Sequence, residues 1–254
     1  MTMNMTLEER INKLQQIIDD SQLIVVFSGA GVSTESGIPD FRSKDGLYNQ
    51  HDVKFDKYKP EYLLSHSCLK QNPNVFFEFY RQKMNLDGIQ PNITHNKLAE
   101  LEQKGKQIYI VTQNIDGLHQ KAGSKHVYEI HGTTSRNYCS HCKKEFPSNY
   151  IFESKDPIPY CDVCGKEKRG IIRPDVTLYE EALPKAYREA SDIIKKADTM
   201  IVMGTSLAVY PAAYLVTDFC GENLIIINKE PTDKDGMADL IIHESLGNVF
   251  SKIK

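Results

Sequence analysis

"LIVVFSGAGVSTESGIPDFR", residues 23–42, decides how this chain is read. Its first six residues form an unbroken apolar run ending in Ser28, rich in β-branched side chains. A strand with one wet face alternates in polarity, and this one does not. It therefore predicts a strand covered on both faces, as in a parallel sheet. Gly29, Ala30 and Gly31 follow at once. Glycine after a buried strand lets the backbone approach a pyrophosphate. The spacing departs from the dinucleotide fingerprint G-x-G-x-x-G, because Thr34 stands at the third position and the next glycine is Gly37. A tight turn explains the first two glycines equally well. The tail is more specific: Asp40, Phe41 and Arg42 put charge and an aromatic ring on a loop, which suits a ligand better than a core.

Further strands are predicted at "QIYIVT" (107–112), "VYEI" (127–130), "TMIVM" (199–203), "NLIIIN" (223–228) and "DLIIHE" (239–244). Between them lie helical stretches. The first carries Leu7, Ile11, Leu14 and Ile18 on one stripe, and residues 183–198 carry Leu183, Tyr187, Ala190 and Ile194. Two more are expected near 211–220 and over 246–253. Buried strands alternating with helices imply an α/β fold, a Rossmann-like doubly wound parallel sheet. Two segments interrupt the alternation. The expected organisation is one domain over 1–254, with a core of about 1–41, 96–132 and 172–254, a helical insert at about 42–95 and a second insert at about 133–171.

The second insert holds four of six cysteines as C-x2-C-x18-C-x2-C: Cys139, Cys142, Cys161 and Cys164. Two residues between cysteines let both sulfurs face one centre, and two such turns complete a tetrahedral zinc shell. Four thiolates leave no open position for water, which argues for a structural zinc rather than a catalytic one. Two redox pairs, an iron–sulfur centre, or a ligand role for His141 are the rivals. Cys68 and Cys220 lack a partner pattern and are expected in the core. Net charge is −3, so no broad basic field points to nucleic acid or an anionic membrane. No apolar run approaches the roughly 20 residues that span a bilayer. With no signal-peptide pattern either, a cytoplasmic location is expected.

In doubly wound sheets ligands bind beyond the carboxyl ends of the strands. Gln113, Asn114 and Asp116 crowd amides and a carboxylate at one such end, able to read ribose hydroxyls or a carboxamide. N-capping of the next helix by Asn114 or Asp116 is the alternative. His131 follows the next strand, where an imidazole can serve as a base near neutral pH. "GTSL" (204–207) is a small-residue turn fit for phosphate, and Asn228 and Lys229 end another strand.

Taken together, "GAGVSTESGIPDFR", "TQNIDGLH", "HGT", the paired cysteines, "GTSLAVYP" and "IIIN" resemble the sirtuins, of bacterial type, over residues 21–250. The resemblance implies NAD-dependent protein-lysine deacetylation, with NAD consumed. It implies Gly29, Ala30 and Thr34 at the phosphates, and Phe41 and Arg42 over the ribose–nicotinamide end. Gln113, Asn114 and Asp116, with Ile115 through its backbone, would contact ribose and carboxamide. Thr205 and Ser206 would hold phosphate and ribose oxygens, and Asn228 and Lys229 would face adenosine. The acyl-lysine amide oxygen would bond to C1′ of the ribose as the nicotinamide bond breaks, and His131 would then take a proton from a ribose hydroxyl, whose oxygen attacks the resulting imidate carbon. Products are lysine, nicotinamide and O-acetyl-ADP-ribose, and partners are acetyl-lysine proteins or peptides. The zinc module would frame the acyl-lysine tunnel. Protein ADP-ribosylation, or a non-catalytic NAD-sensing zinc protein, are the competing readings. Two departures stand out. "VTLYEE" (176–181) replaces a Val-Val-x-Phe-Gly-Glu-like strand that helps bind peptide, and Tyr80 with Lys83 stands where succinyl-preferring members carry Tyr-x-x-Arg. Lysine offers a carboxylate only a point charge, so acetyl is the expected acyl group.

Overall fold

A computed structural model of the chain describes residues 5–254. Strands β1 (Leu23–Ser28), β2 (Gln107–Thr112) and β3 (Val127–Glu129) form one half of a parallel sheet. Next come β4 (Gly132–Cys139), β5 (Glu145–Pro147) and β6 (Ile172–Val176), which form a separate antiparallel sheet. The chain then returns to the parallel sheet with β7 (Thr199–Met203), β8 (Asn223–Ile227) and β9 (Leu240–Ile242). Among the described residues the large sheet runs β3-β2-β1-β7-β8-β9. The order reverses direction between β1 and β7, which places a switch point beside "SGAG".

Both faces of β1 are covered, as its unbroken apolar run requires. Ile24 and Val26 pack under the helices Leu7–Asp20, Ile93–Gln103 and Leu246–Phe250. Val25 and Phe27 face the opposite layer, with Ala190 and Ile194 of the helix Lys185–Ile194. The first helix starts at a capping box, in which Thr6 accepts from the Glu9 N–H and the Glu9 carboxylate accepts from Thr6. The stretch near 211–220 is a 3-10 helix, Ala212–Asp218.

The inserts differ in extent from their sequence-based limits. The helix Ile93–Gln103 begins at Asn92, whose side chain accepts from the N–H groups of Thr94 and His95. The division at 95/96 thus falls inside a helix, because the cap and not the composition change starts it. At the other insert, β6 pairs with β4 and never joins the large sheet. The small sheet therefore extends to Val176, a few residues past the expected limit of about 171. The insert helices Pro60–Leu63, His66–Gln71 and Pro73–Lys83 share one apolar cluster with this small sheet. Cys68 lies in that cluster, whereas Cys220, expected in the core, is exposed beyond the 3-10 helix.

Candidate functional site

Register decides where the loops meet. Ser28 is level with Thr112 on one side and with Met203 on the other, and Met203 is level with Ile227. Glu129 is level with Thr112. The loops at 29–42, 113–117, 130–131, 204–207 and 228–229 therefore leave one edge of the sheet together.

The glycine loops interlock. The Gly31 N–H donates to the Gly204 carbonyl at 2.8 Å, and the Gly29 N–H to that of Met203 at 3.2 Å. A Cβ on Gly29 would stand 2.7 Å from Thr205 Cβ, and one on Gly31 would stand 2.8 Å from Gly204 Cα. Glycine is needed here so that two loops can touch, before any ligand is considered. Gly204 adds a φ of +58°, the left-handed region. After Gly29 the chain makes two 3-10 turns, Ala30–Val32 and Thr34–Ser36, with the Thr34 hydroxyl donating to the Gly31 carbonyl.

Ser33 joins this loop to the next one. Its hydroxyl donates to Asp116 Oδ2 at 2.6 Å and accepts from Asn114 Nδ2 at 3.1 Å. Ser33 lies within the quoted loop, but its role is not legible there because its partners are 81 and 83 residues further on. Asp116 also accepts from the Leu118 N–H at 2.9 Å, beside the helix Leu118–Ala122, whose N-cap is Gly117 and not Asn114 or Asp116. Burial raises its carboxyl above the usual range, against the lowering effect of these bonds. The Ile115 carbonyl is taken by the N–H and hydroxyl of Thr134. Gln113 donates through Nε2 to the Thr205 hydroxyl at 3.2 Å, which ties the second loop to the "GTSL" turn.

His131 stands at the end of the β3 segment, half-buried. Its Nδ1 lies 3.0 Å from the Gln113 carbonyl oxygen, and its own carbonyl accepts from the Thr177 N–H. Burial lowers the imidazole from its ordinary value, partly opposed by the bond to Gln113. A neutral imidazole with one nitrogen held and the other free is a competent proton acceptor.

Phe41 and Arg42 sit on a loop whose turn is made by Asp40. That carboxylate accepts from the N–H groups of Arg42 and Ser43, so it shapes the loop instead of facing a ligand. The Phe41 ring lies 5.3 Å from that of Tyr48. Ser206 is exposed beside half-buried Thr205. Across the edge, Asn228 is half-buried and donates to the Glu230 carbonyl, while Lys229 is exposed.

The segment 177–181 borders the site without forming a strand of its own. Arg173, 8% exposed, makes a two-pronged bond to Glu181, which burial opposes but the guanidinium and the Leu178 N–H hold down at about 2. Tyr80 and Lys83 do not act together. The Tyr80 hydroxyl is buried without a partner between Phe76 and Phe152, and Lys83 donates to Gln50.

The four cysteine sulfurs lie within 4.8 Å of one another. With Zn–S bonds of about 2.3 Å, the edges of a thiolate tetrahedron are about 3.8 Å. Cys142 and Cys161 sulfurs are 3.8 Å apart. Each knuckle turns back through a left-handed residue, Lys143 at φ 65° and Gly165 at φ 59°. The N–H groups of His141 and Val163 point at the first sulfur of each pair. The donor set fits a structural zinc, with His141 outside it.

A sequence model of the Sir2 family matches residues 29–211. An NAD-dependent protein deacetylase of Clostridium acetobutylicum is 52% identical over 250 residues, covering 98% of this chain and 100% of that protein. One from Clostridium perfringens is 51% identical, covering 97% and 99%. A solved Sir2 enzyme superposes with a TM-score of 0.84 at 39% identity, covering 97% of this chain and 96% of that one. A Sir2–p53 peptide–NAD+ complex superposes with a TM-score of 0.81 at 35% identity, covering 96% of each. Among the described residues no helix is long and apolar enough to cross a membrane.

Proposed function

The chain belongs to the Sir2 family, the sirtuins, and from that premise we infer that it is an NAD-dependent protein-lysine deacetylase with His131 as its base. Relatives named for this activity align along their whole length. The observation that carries the residue assignment is the bond from His131 Nδ1 to the Gln113 carbonyl, which leaves Nε2 free beside the converging strand ends.

NAD, as co-substrate, supplies a ribose that receives the acetyl group as nicotinamide leaves. The chain's part is to hold the reactants and move one proton. An amide oxygen is a poor nucleophile, so fixed proximity supplies much of the rate. Gly29, Ala30 and Thr34 would line the phosphates, and Thr205 and Ser206 would meet phosphate and ribose oxygens. Gln113, Asn114, Ile115 and Asp116 would orient ribose and carboxamide, with Ser33 keeping Asn114 and Asp116 in place. Phe41 and Arg42 would cover the nicotinamide end, and Asn228 and Lys229 the adenosine side. Nε2 of His131 would accept the ribose hydroxyl proton. Cys139, Cys142, Cys161 and Cys164 would hold zinc as a clip for the small sheet, remote from proton transfer. Thiolates persist in a reducing compartment, which supports a cytoplasmic location.

Mass spectrometry of an acetyl-lysine peptide incubated with and without NAD tests this reading. The expected result is NAD-dependent loss of acetyl with O-acetyl-ADP-ribose and nicotinamide in equal amounts. ADP-ribose on protein, or nucleotide binding without nicotinamide release, overturns it.

A further inference from the structure

Tyr179 lies in "VTLYEE", where the resemblance leads one to expect phenylalanine, and its extra hydroxyl has two partners. Tyr48 Oη is 3.0 Å away, and Arg42 donates to it through a terminal guanidinium nitrogen at 3.3 Å. The same guanidinium lies over the Tyr48 ring at 5.7 Å. One phenol thus touches both ends of the loop that runs from Arg42 to Tyr48. That loop is otherwise tied to itself: Tyr48 N–H donates to the Phe41 carbonyl, and Asn49 donates to the carbonyls of Arg42 and Ser43.

The mount for the phenol is rigid. The Tyr179 N–H donates to the Leu64 carbonyl at 3.0 Å, and its carbonyl accepts from the His66 N–H at 3.0 Å. The backbone of Tyr179 is therefore held by the helical insert, as a parallel bridge to Ser65. Arg42 is exposed, and a long exposed side chain loses rotamer freedom whenever it must meet a ligand. Holding it beforehand lowers that cost.

We propose that the Tyr179 hydroxyl is a positioning group that presets Arg42 and its loop for NAD, acting through Arg42 and Tyr48 rather than on the reacting atoms. This rests on the reading that Arg42 contacts NAD. The hydroxyl bridge ties the cofactor loop to the 177–181 segment, so it affects NAD affinity and leaves the chemical step alone.

Tyr179→Phe keeps the ring and removes only the hydroxyl. The expected result is a KM for NAD raised about 3- to 10-fold, the size of one or two neutral or weakly charge-assisted bonds. The kcat and the KM for an acetyl peptide should stay within about twofold, and the melting temperature should hold. Hydrogen exchange at the amides of Arg42–Tyr48 should speed up without NAD present. Tyr48→Phe should give only part of the KM effect, because the Arg42 bond to the Tyr179 hydroxyl survives, and the double variant should match Tyr179→Phe, which already removes both bonds. Unchanged KM and unchanged exchange in Tyr179→Phe, with Arg42→Ala raising the KM for NAD, overturns the positioning role. Arg42→Ala without effect on that KM overturns the Arg42 reading, and the proposal with it. A general loss of kcat and melting temperature in Tyr179→Phe shows that the hydroxyl serves the fold at large and also overturns it.

Discussion

His131 Nδ1 and the carbonyl oxygen of Gln113 are 3.0 Å apart, and that bond sets the histidine's tautomer. A carbonyl only accepts, so the hydrogen is on Nδ1 and the lone pair is on Nε2. Gln113 is itself fixed, since its N–H donates to the Ser28 carbonyl at 3.0 Å. The end of β1 thereby orients a side chain more than 100 residues later in the sequence.

If Nε2 is the base, His131→Ala lowers deacetylation by at least about 100-fold. NAD affinity, measured by calorimetry, should change little. Burial lowers the His131 pKa, so the base is neutral at pH 7 and is lost only as pH falls through that lowered value. The acid limb of the kcat/KM profile for acetyl peptide is expected below pH 6.5. A limb centred above pH 7 would contradict the assignment.

Replacing any one of Cys139, Cys142, Cys161 or Cys164 by Ala should release about one equivalent of zinc, since three thiolates leave the tetrahedron open. A colorimetric zinc assay on the purified protein reads this directly. Activity should fall along with thermal stability, as Phe146 and Ile172 lose their packing in the shared cluster. A zinc-free variant with full activity would remove the clip role.

Acyl preference follows from the Tyr80 environment. Its hydroxyl is buried and unpartnered, and Lys83 is engaged with Gln50. A succinyl carboxylate would lose hydration with the Tyr80 hydroxyl as its one available donor and no cation to meet it, which costs more than about 1.4 kcal/mol. Acetyl peptide is expected to exceed the matched succinyl peptide about tenfold or more in kcat/KM. Paired kinetics on one peptide sequence decide it, and equal turnover would show that the tunnel is built differently.

Glu180 adopts a φ of 74° where a related strand would place glycine. Left-handed backbone costs a residue with a Cβ about 1 kcal/mol. Its carboxylate offsets part of this by accepting from the Ser67 N–H at 2.9 Å, in the first turn of the helix His66–Gln71. Glu180→Ala loses the bond and keeps the strain, whereas Glu180→Gly loses the bond and the strain. Urea unfolding should find the Gly variant more stable than the Ala variant by about 1 kcal/mol. The reverse order would mean that the strain is absent.

His95 and His119 are buried side by side, with ring centroids 4.7 Å apart. Burial pushes His95 down to about 4 and His119 well below its ordinary value. The unfolded chain takes up these protons near pH 6.5 and the folded chain does not, so stability is full above that pH and declines as pH falls towards 4. The slope is up to about 1.4 kcal/mol per pH unit for each histidine. Urea midpoints between pH 7.5 and 5 should drop accordingly, and His95→Gln should make the slope shallower. The low-lying Glu181 carboxyl, at about 2, titrates outside this range.

Much of the fold was legible because it is written in local patterns. An unbroken apolar run marks β1 as buried on both faces, and two cysteine pairs mark a four-sulfur site, since each depends on spacing over a few residues. The limits of the inserts were less legible. Asn92 starts a helix before its apolar stripe becomes clear, and β6 shows no strand pattern because Arg173, Pro174 and Asp175 fill its middle, yet it pairs with β4. Cys220 was placed in the core by its residue type, but it follows the turn that ends the Ala212–Asp218 helix and stays exposed.

The sequence by itself determined the alternation of strands and helices, the paired-cysteine knuckles, and the family to which the chain belongs. Only the tertiary structure decided which loops touch. Ser33 meets Asn114 across 81 residues and Asp116 across 83, and Arg42 meets Tyr179 across 137. Gly31 must lack a side chain because Gly204 lies against it. Such contacts depend on the strand order β3-β2-β1-β7-β8-β9 and on a register that brings Ser28, Thr112 and Met203 level. Local patterns set each strand's buried faces, but the close approach of distant side chains arises only when the sheet is assembled and its edges are packed.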